Sequence, residues 1–178
     1  MHQILKDLLH SGADDAPALS APGRQPLTFG ALRALIGDTL AALNGIGIGR
    51  NDRVAIVLPN GAEMASCFIA CASGVASAPL NPAYRADEFE FYLADLNAKA
   101  LIVEQGSTSP AVEVAKKTGL RIIELTPQLA AGAGSFTLDV GSGTATSAGG
   151  YAQPDDVSMV LHTSGTTSRP KIVPLSQR

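Results

Sequence analysis

Arg53–Leu80, RVAIVLPNGAEMASCFIACASGVASAPL, reads as strand, helix and strand in succession. After the opening arginine, the run to Leu58 is apolar without alternation, the pattern of a strand covered on both faces by helices in a parallel sheet. Asn60 stands where it can cap the next helix, and Glu63, three residues later, can reach back to complete a capping box. Ala65, Phe68, Ile69 and Ala72 give that helix its inward stripe. Val75 to Leu80 is a second short strand, which Asn81-Pro82 stops.

The rhythm continues in both directions. Upstream, Leu32, Leu35, Ile36, Leu40 and Leu43 form a helical stripe, with Thr28 as N-cap and Gly45, Gly47 and Gly49 ending it. Downstream, Asp87 with Glu90 repeats the cap logic, and Phe89, Tyr92, Leu93 and Leu96 fall on one helix face. Ala100 to Val103 is a third strand; Ser109-Pro110 opens a helix that Gly119 closes; Arg121 to Leu125 is a fourth strand. Ala130 to Gln153 is Gly, Ala, Ser and Thr with one apolar pulse at Phe136 to Val140, a flexible connection carrying at most one edge strand. Pro154-Asp155-Asp156 leads into a fifth strand, Val157 to His162, and then a loop rich in hydroxyls.

The expected architecture is α/β: an open, mostly parallel sheet with helices on both faces. Residues 1–129 form the α/β subdomain, 130–153 the connection, and 154–178 the last strand and loop, with Ser176 placed to cap a further helix. Ligands of such sheets sit beyond the carboxyl ends of the strands, which points to the loop after the fifth strand.

Composition narrows the function classes. At about 150 residues per domain, 178 residues make one compact unit, and 46% hydrophobic against 16% charged residues is enough apolar surface to fold. Aromatic residues are only 4% and Trp is absent, so Ala, Val, Leu and Ile must build the core. Lys and Arg number 13 against 16 Asp and Glu, a net charge of −3 that offers no field attractive to nucleic acid or to an anionic membrane face. Met64 to Leu80 falls at the short limit for crossing roughly 30 Å of hydrocarbon and is interrupted by Gly74 and Pro79, so no membrane span is expected. Lys6 and Asp7 interrupt what would have to be the apolar part of a signal peptide. Cys67 and Cys71, four apart on a helix, have neither zinc spacing nor the numbers of a disulfide framework. They read as small buried hydrophobes in a chain of the reducing cytoplasm, and no metal site is expected.

Thr163-Ser-Gly-Thr-Thr-Ser-Arg-Pro-Lys171 carries the chemistry. A polyphosphate needs hydroxyl and backbone N–H donors that wrap it, a residue without Cβ where the chain approaches closely, and a cation. The loop has all three. Gly165 to Lys171 imitates a Walker A frame, yet Pro170 replaces its second glycine and Ile172 the hydroxyl that would hold magnesium, which disfavours a P-loop NTPase. An ordinary polar turn is the bland reading, and the position after a buried strand weighs against it. His162 beside the loop either touches a ligand or is simply packed. Gly45-Ile-Gly-Ile-Gly49 precedes a strand rather than a helix, so it is punctuation and not a dinucleotide fingerprint.

The run Leu161-His-Thr-Ser-Gly-Thr-Thr-Ser-Arg-Pro-Lys-Ile-Val-Pro174 resembles the signature loop of the adenylate-forming superfamily, which includes acyl-CoA synthetases, luciferases and peptide-synthetase adenylation domains. Thr28-Phe-Gly-Ala-Leu32, Asp52-Arg-Val-Ala-Ile56, Leu58-Pro-Asn60 and Pro79-Leu-Asn-Pro82 resemble further landmarks of that family, in order. The likeness covers nearly all of this chain and only the amino-terminal part of the family's length. It implies a flavodoxin-like subdomain of a two-step ligase. A small carboxylic acid attacks the α-phosphate of ATP, carried with Mg, and the thiol of coenzyme A then displaces AMP. By position, Thr163, Ser164, Thr166 and Thr167 would donate hydrogen bonds to the β- and γ-phosphates, Gly165 would permit close approach and Lys171 would balance charge. The family's catalytic residues would lie beyond Arg178, leaving this part inactive alone. Ser168 and Ile172 stand where the family usually has glycine, which would strain the loop if either took a positive φ. The Ser-Arg-Pro-Lys variant is similar to the oxalate:CoA ligase branch, a hint of a dicarboxylic acid. A stand-alone phosphate-binding module and a plain α/β scaffold for another chain are the competing expectations.

Overall fold

The computed structural model describes residues 4–163 and 170–178; Ser164, Gly165, Thr166, Thr167, Ser168 and Arg169 of the candidate loop lie outside the described residues. In chain order the elements are α1 (Leu5–Leu9), β1 (Pro17–Leu19), β2 (Leu27–Thr28), α2 (Phe29–Gly45), β3 (Arg53–Val57), α3 (Ala62–Ala72) and β4 (Ala76–Pro79). There follow α4 (Ala86–Leu96), β5 (Ala100–Glu104), α5 (Pro110–Thr118), β6 (Arg121–Pro127), a 3₁₀ turn (Leu129–Ala131), β7 (Phe136–Asp139), β8 (Val157–Thr163) and β9 (Lys171–Ser176). β1 and β2 form a small antiparallel ribbon, and the other strands form one sheet in the order β7-β6-β5-β3-β4-β8-β9. The pairs from β6 through β8 are parallel, while β7 and β9 close the edges antiparallel.

Strand alternation explains the layers. Ala55 and Val57 of β3 face one side, packing with Phe89, Leu93 and Leu96 of α4 and Ala111, Val114 and Ala115 of α5. Val54 and Ile56 face the other, against Cys67 and Cys71 of α3 and Leu43 of α2. Both faces of β3 are therefore dry, as its unbroken apolar run requires. A third apolar cluster ties α1, the ribbon and α2 to α3 through Leu9, Leu27, Leu32, Ile36 and Ala70.

Local signals hold at two caps. Thr28 Oγ1 accepts from Ala31 N at 3.2 Å, and Ser109 Oγ accepts from Ala111 N at 3.3 Å, with Pro110 at the first helical position. Two caps differ from expectation. Gly61, not Asn60, precedes α3 and has no side chain to cap it; Glu63, the expected partner of Asn60, instead pairs with the Arg24 guanidinium in the link between β1 and β2. Arg85, not Asp87, precedes α4; its N–H donates to Glu88 Oε2 at 2.9 Å, and Glu90 instead meets Lys117 at 2.6 Å. The expected cap at Ser176 is also replaced: Ser176 ends strand β9, which sequence reading missed. Pro174 disguises that strand, and it is tolerated because β9 lies at the sheet edge.

Within 130–153, β7 is the edge strand at the apolar pulse, and Gly134, at φ +81°, lets the chain pass close to α3. A Cβ there would come within 2.8 Å of the Ala62 carbonyl oxygen. Ser66 Oγ donates to the Gly134 carbonyl at 2.6 Å across that approach. Met64 to Leu80 divides into α3 and β4, and no helix among the described residues is long and apolar enough to cross a membrane.

Candidate functional site

β8 runs parallel to β4, so its carboxyl end points the same way as those of β3, β4 and β5. β9 then returns antiparallel, and the rungs of this hairpin include Val160↔Pro174, Leu161↔Val173, His162↔Ile172 and Thr163↔Lys171. The last rung frames the candidate loop. Thr163 and Lys171, chosen from sequence, thus stand opposite each other and exposed at the open end of the hairpin, where directly paired side chains lie about 5 Å apart at Cβ. Lys171 makes no ion pair among the described residues. The remaining chosen residues, Ser164, Gly165, Thr166 and Thr167, fall in the undescribed stretch between them.

Ile172 is extended in β9 and is not among the residues with positive φ, so this departure from glycine introduces no left-handed strain. Its β-branched side chain packs against the α4-side core, a position suited to a strand.

His162 is packed and also polar-bonded. Its side chain is only 6% exposed, and Asp95 Oδ2 on α4 accepts from Nε2 at 3.0 Å. The Tyr92 ring meets the imidazole edge-on at 4.6 Å between centroids, Tyr84 stacks on Tyr92 at 4.7 Å, and Phe89 meets Tyr84 edge-on at 5.8 Å. Burial, helped by the Tyr92 hydroxyl and the Glu88 charge, pushes the Tyr84 phenol up to about 12, so the Tyr84 hydroxyl stays uncharged at neutral pH. Asp95 escaped sequence reading because it lies 67 residues from His162 and nothing local marks the pair.

Cys67 and Cys71 are free and fully buried, and the Cys67 thiol is raised well above its ordinary value by its hydrogen bond to Cys71 and by burial. The Cys67 thiolate is disfavoured in the fold, so stability linked to this thiol is present below the unfolded thiol value and declines as pH rises past it. Iodoacetamide at mildly alkaline pH should leave both cysteines of the native chain unmodified and label both after unfolding; equal labelling rates would contradict that burial. Among the described residues no group of three or more His, Cys, Asp or Glu could hold a metal ion.

A cleft of about 350 Å³ at the carboxyl ends of β3 and β5 is lined by Val57, Pro59, Pro82 and the segment from Glu104 to Ser109. A cleft of about 430 Å³ opens at the opposite end of the sheet, between α4 and α5, with Leu93, Asn97, Lys99 and Arg121 on its wall.

Comparison with known proteins agrees with this architecture. The chain is 39% identical over 168 residues to a probable CoA ligase, CCL9, of Humulus lupulus, and 41% identical over 170 residues to an oxalate–CoA ligase of Arabidopsis thaliana. Each alignment covers 92% of this chain and 32% of the relative, so the chain spans about a third of their length. The fold is similar to that of apo MatB from Rhodopseudomonas palustris, with a TM-score of 0.75 at 24% identity over 99% of this chain and 35% of that one. The family profile described as AMP-binding enzyme matches residues 10–178, and the chain belongs to that family.

Proposed function

We propose that this chain is the amino-terminal, triphosphate-holding part of an AMP-forming carboxylate:CoA ligase. The observation that carries the reading is the Thr163↔Lys171 rung, which sets a hydroxyl and a cation on either side of the loop at the carboxyl end of a parallel sheet. In the reaction, a carboxylate oxygen attacks the α-phosphorus of ATP, the bond to the bridging oxygen breaks, and pyrophosphate leaves; the thiol of coenzyme A then displaces AMP from the acyl-adenylate. Thr163, Ser164, Thr166 and Thr167 donate to the β- and γ-phosphate oxygens, Gly165 admits them close to the backbone, and Lys171 neutralises charge that grows on the departing pyrophosphate. Magnesium would supply further neutralisation when bound with the triphosphate. Oxalate–CoA ligases of Arabidopsis thaliana and Saccharomyces cerevisiae, at 41% and 35% identity, favour a small dicarboxylic acid as substrate. Two unpaired thiols fit a cytoplasmic setting.

Isotope exchange between ATP and pyrophosphate in the complete ligase tests the reading. The double variant Lys171→Ala, Thr166→Ala should exchange about a hundredfold or more slowly, since each lost donor faces charge developed in the transition state. Undiminished exchange would refute the assignment.

A further inference from the structure

We propose that His162, held by Asp95, is a positioning residue that fixes the hairpin carrying the phosphate loop; the inference rests on the function proposed above. The rung His162↔Ile172 lies directly beneath Thr163↔Lys171, so the direction of β8 at His162 decides where both of those side chains point. The main sheet gives this end of β8 little support. The register between β4 and β8 comprises Ser77↔Met159, and two residues further along β4 stands Pro79, whose nitrogen has no proton to donate to a neighbour. β9 on the other side is itself an edge strand.

What ties the outer end of β8 to the body is its side chains on the α4 face. Val160 is 1% exposed within the core, and His162 is fastened at its polar tip by Asp95 at 3.0 Å and at its ring edge by Tyr92. α4 in turn is anchored by Phe89, Leu93 and Leu96 in the core beside β3 and β5. The bond from His162 to Asp95 therefore connects a rigid helix to the last rung but one before the loop. Asp95 touches no phosphate-binding residue directly among its recorded bonds, and its effect passes through His162.

Asp95 is 40% exposed, so its replacement should spare the fold. The probe is pyrophosphate, titrated into this chain by calorimetry, with amide hydrogen exchange of Thr163, Lys171 and Ile172 as a second readout. Asp95→Ala should weaken binding about tenfold, equivalent to about 1.4 kcal/mol, and speed exchange along the hairpin while leaving the melting temperature within a few degrees. Asp95→Asn, which keeps a carbonyl oxygen for the Nε2 proton, should stay within about twofold of wild type. Unchanged affinity and exchange in Asp95→Ala, alongside lost binding in Lys171→Ala, would overturn the positioning role and leave the phosphate site standing. A lowered melting temperature with unchanged affinity would also overturn it, as a purely structural role. Absence of binding by the wild-type chain would overturn the phosphate reading and this inference with it.

Discussion

Replacing Phe89 with alanine is expected to destabilise the chain by about 3–5 kcal/mol. Phe89 is 0% exposed and heads the fully buried side chains among the described residues by volume. Its surroundings explain why the hole would persist. The core cluster it belongs to includes Ala55, Ala76 and Ala78, side chains too short to fill a vacated space. Tyr84, edge-on at 5.8 Å, is already stacked on Tyr92 and would lose that contact by collapsing inward. Urea titration should show a lower midpoint at an unchanged slope, the mark of lost stability without a change in the surface exposed on unfolding. A loss below about 1 kcal/mol would mean that α4 is not anchored as described.

The second large effect belongs to Lys171. Lys171→Ala should reduce the affinity of this chain for pyrophosphate at least tenfold, because a charge-assisted hydrogen bond to an anion is about twice as strong as a neutral one. The exposed ammonium is strongly hydrated, so the loss should shrink as salt is raised. Lys171→Arg should retain most of the affinity if charge alone is required, and much less if the loop needs a compact point charge. Equal affinity in wild type and Lys171→Ala, measured at low salt, would remove Lys171 from the site.

Much of this architecture is legible in the chain because the physics is local or periodic. β3 announces itself by an apolar run that makes sense only between two helix layers, and α4 by Phe89, Leu93 and Leu96 on one face. The loop is legible because its residue types match what a polyphosphate needs, and its place follows from the strand before it. What escaped depends on partners distant in sequence. β9 is a strand because β8 offers it an edge, and its own residues, with Pro174 in the middle, carry no alternation strong enough to say so. Glu63 looked like a capping partner because its spacing from Asn60 fits; Arg24, 39 residues earlier, competes successfully for the carboxylate. The bond from His162 to Asp95 is of the same kind, made by folding and invisible to any window of sequence.

The most direct test of the central claim is a pyrophosphate titration of the isotope-labelled chain followed by nuclear magnetic resonance. Saturable shifts should be largest at the backbone amides from Thr163 to Lys171, extend more weakly to Ile172 and His162, and vanish in Lys171→Ala. Shifts centred on Asn97, Lys99 and Arg121 in the cleft between α4 and α5, with the hairpin amides unmoved, would contradict the account.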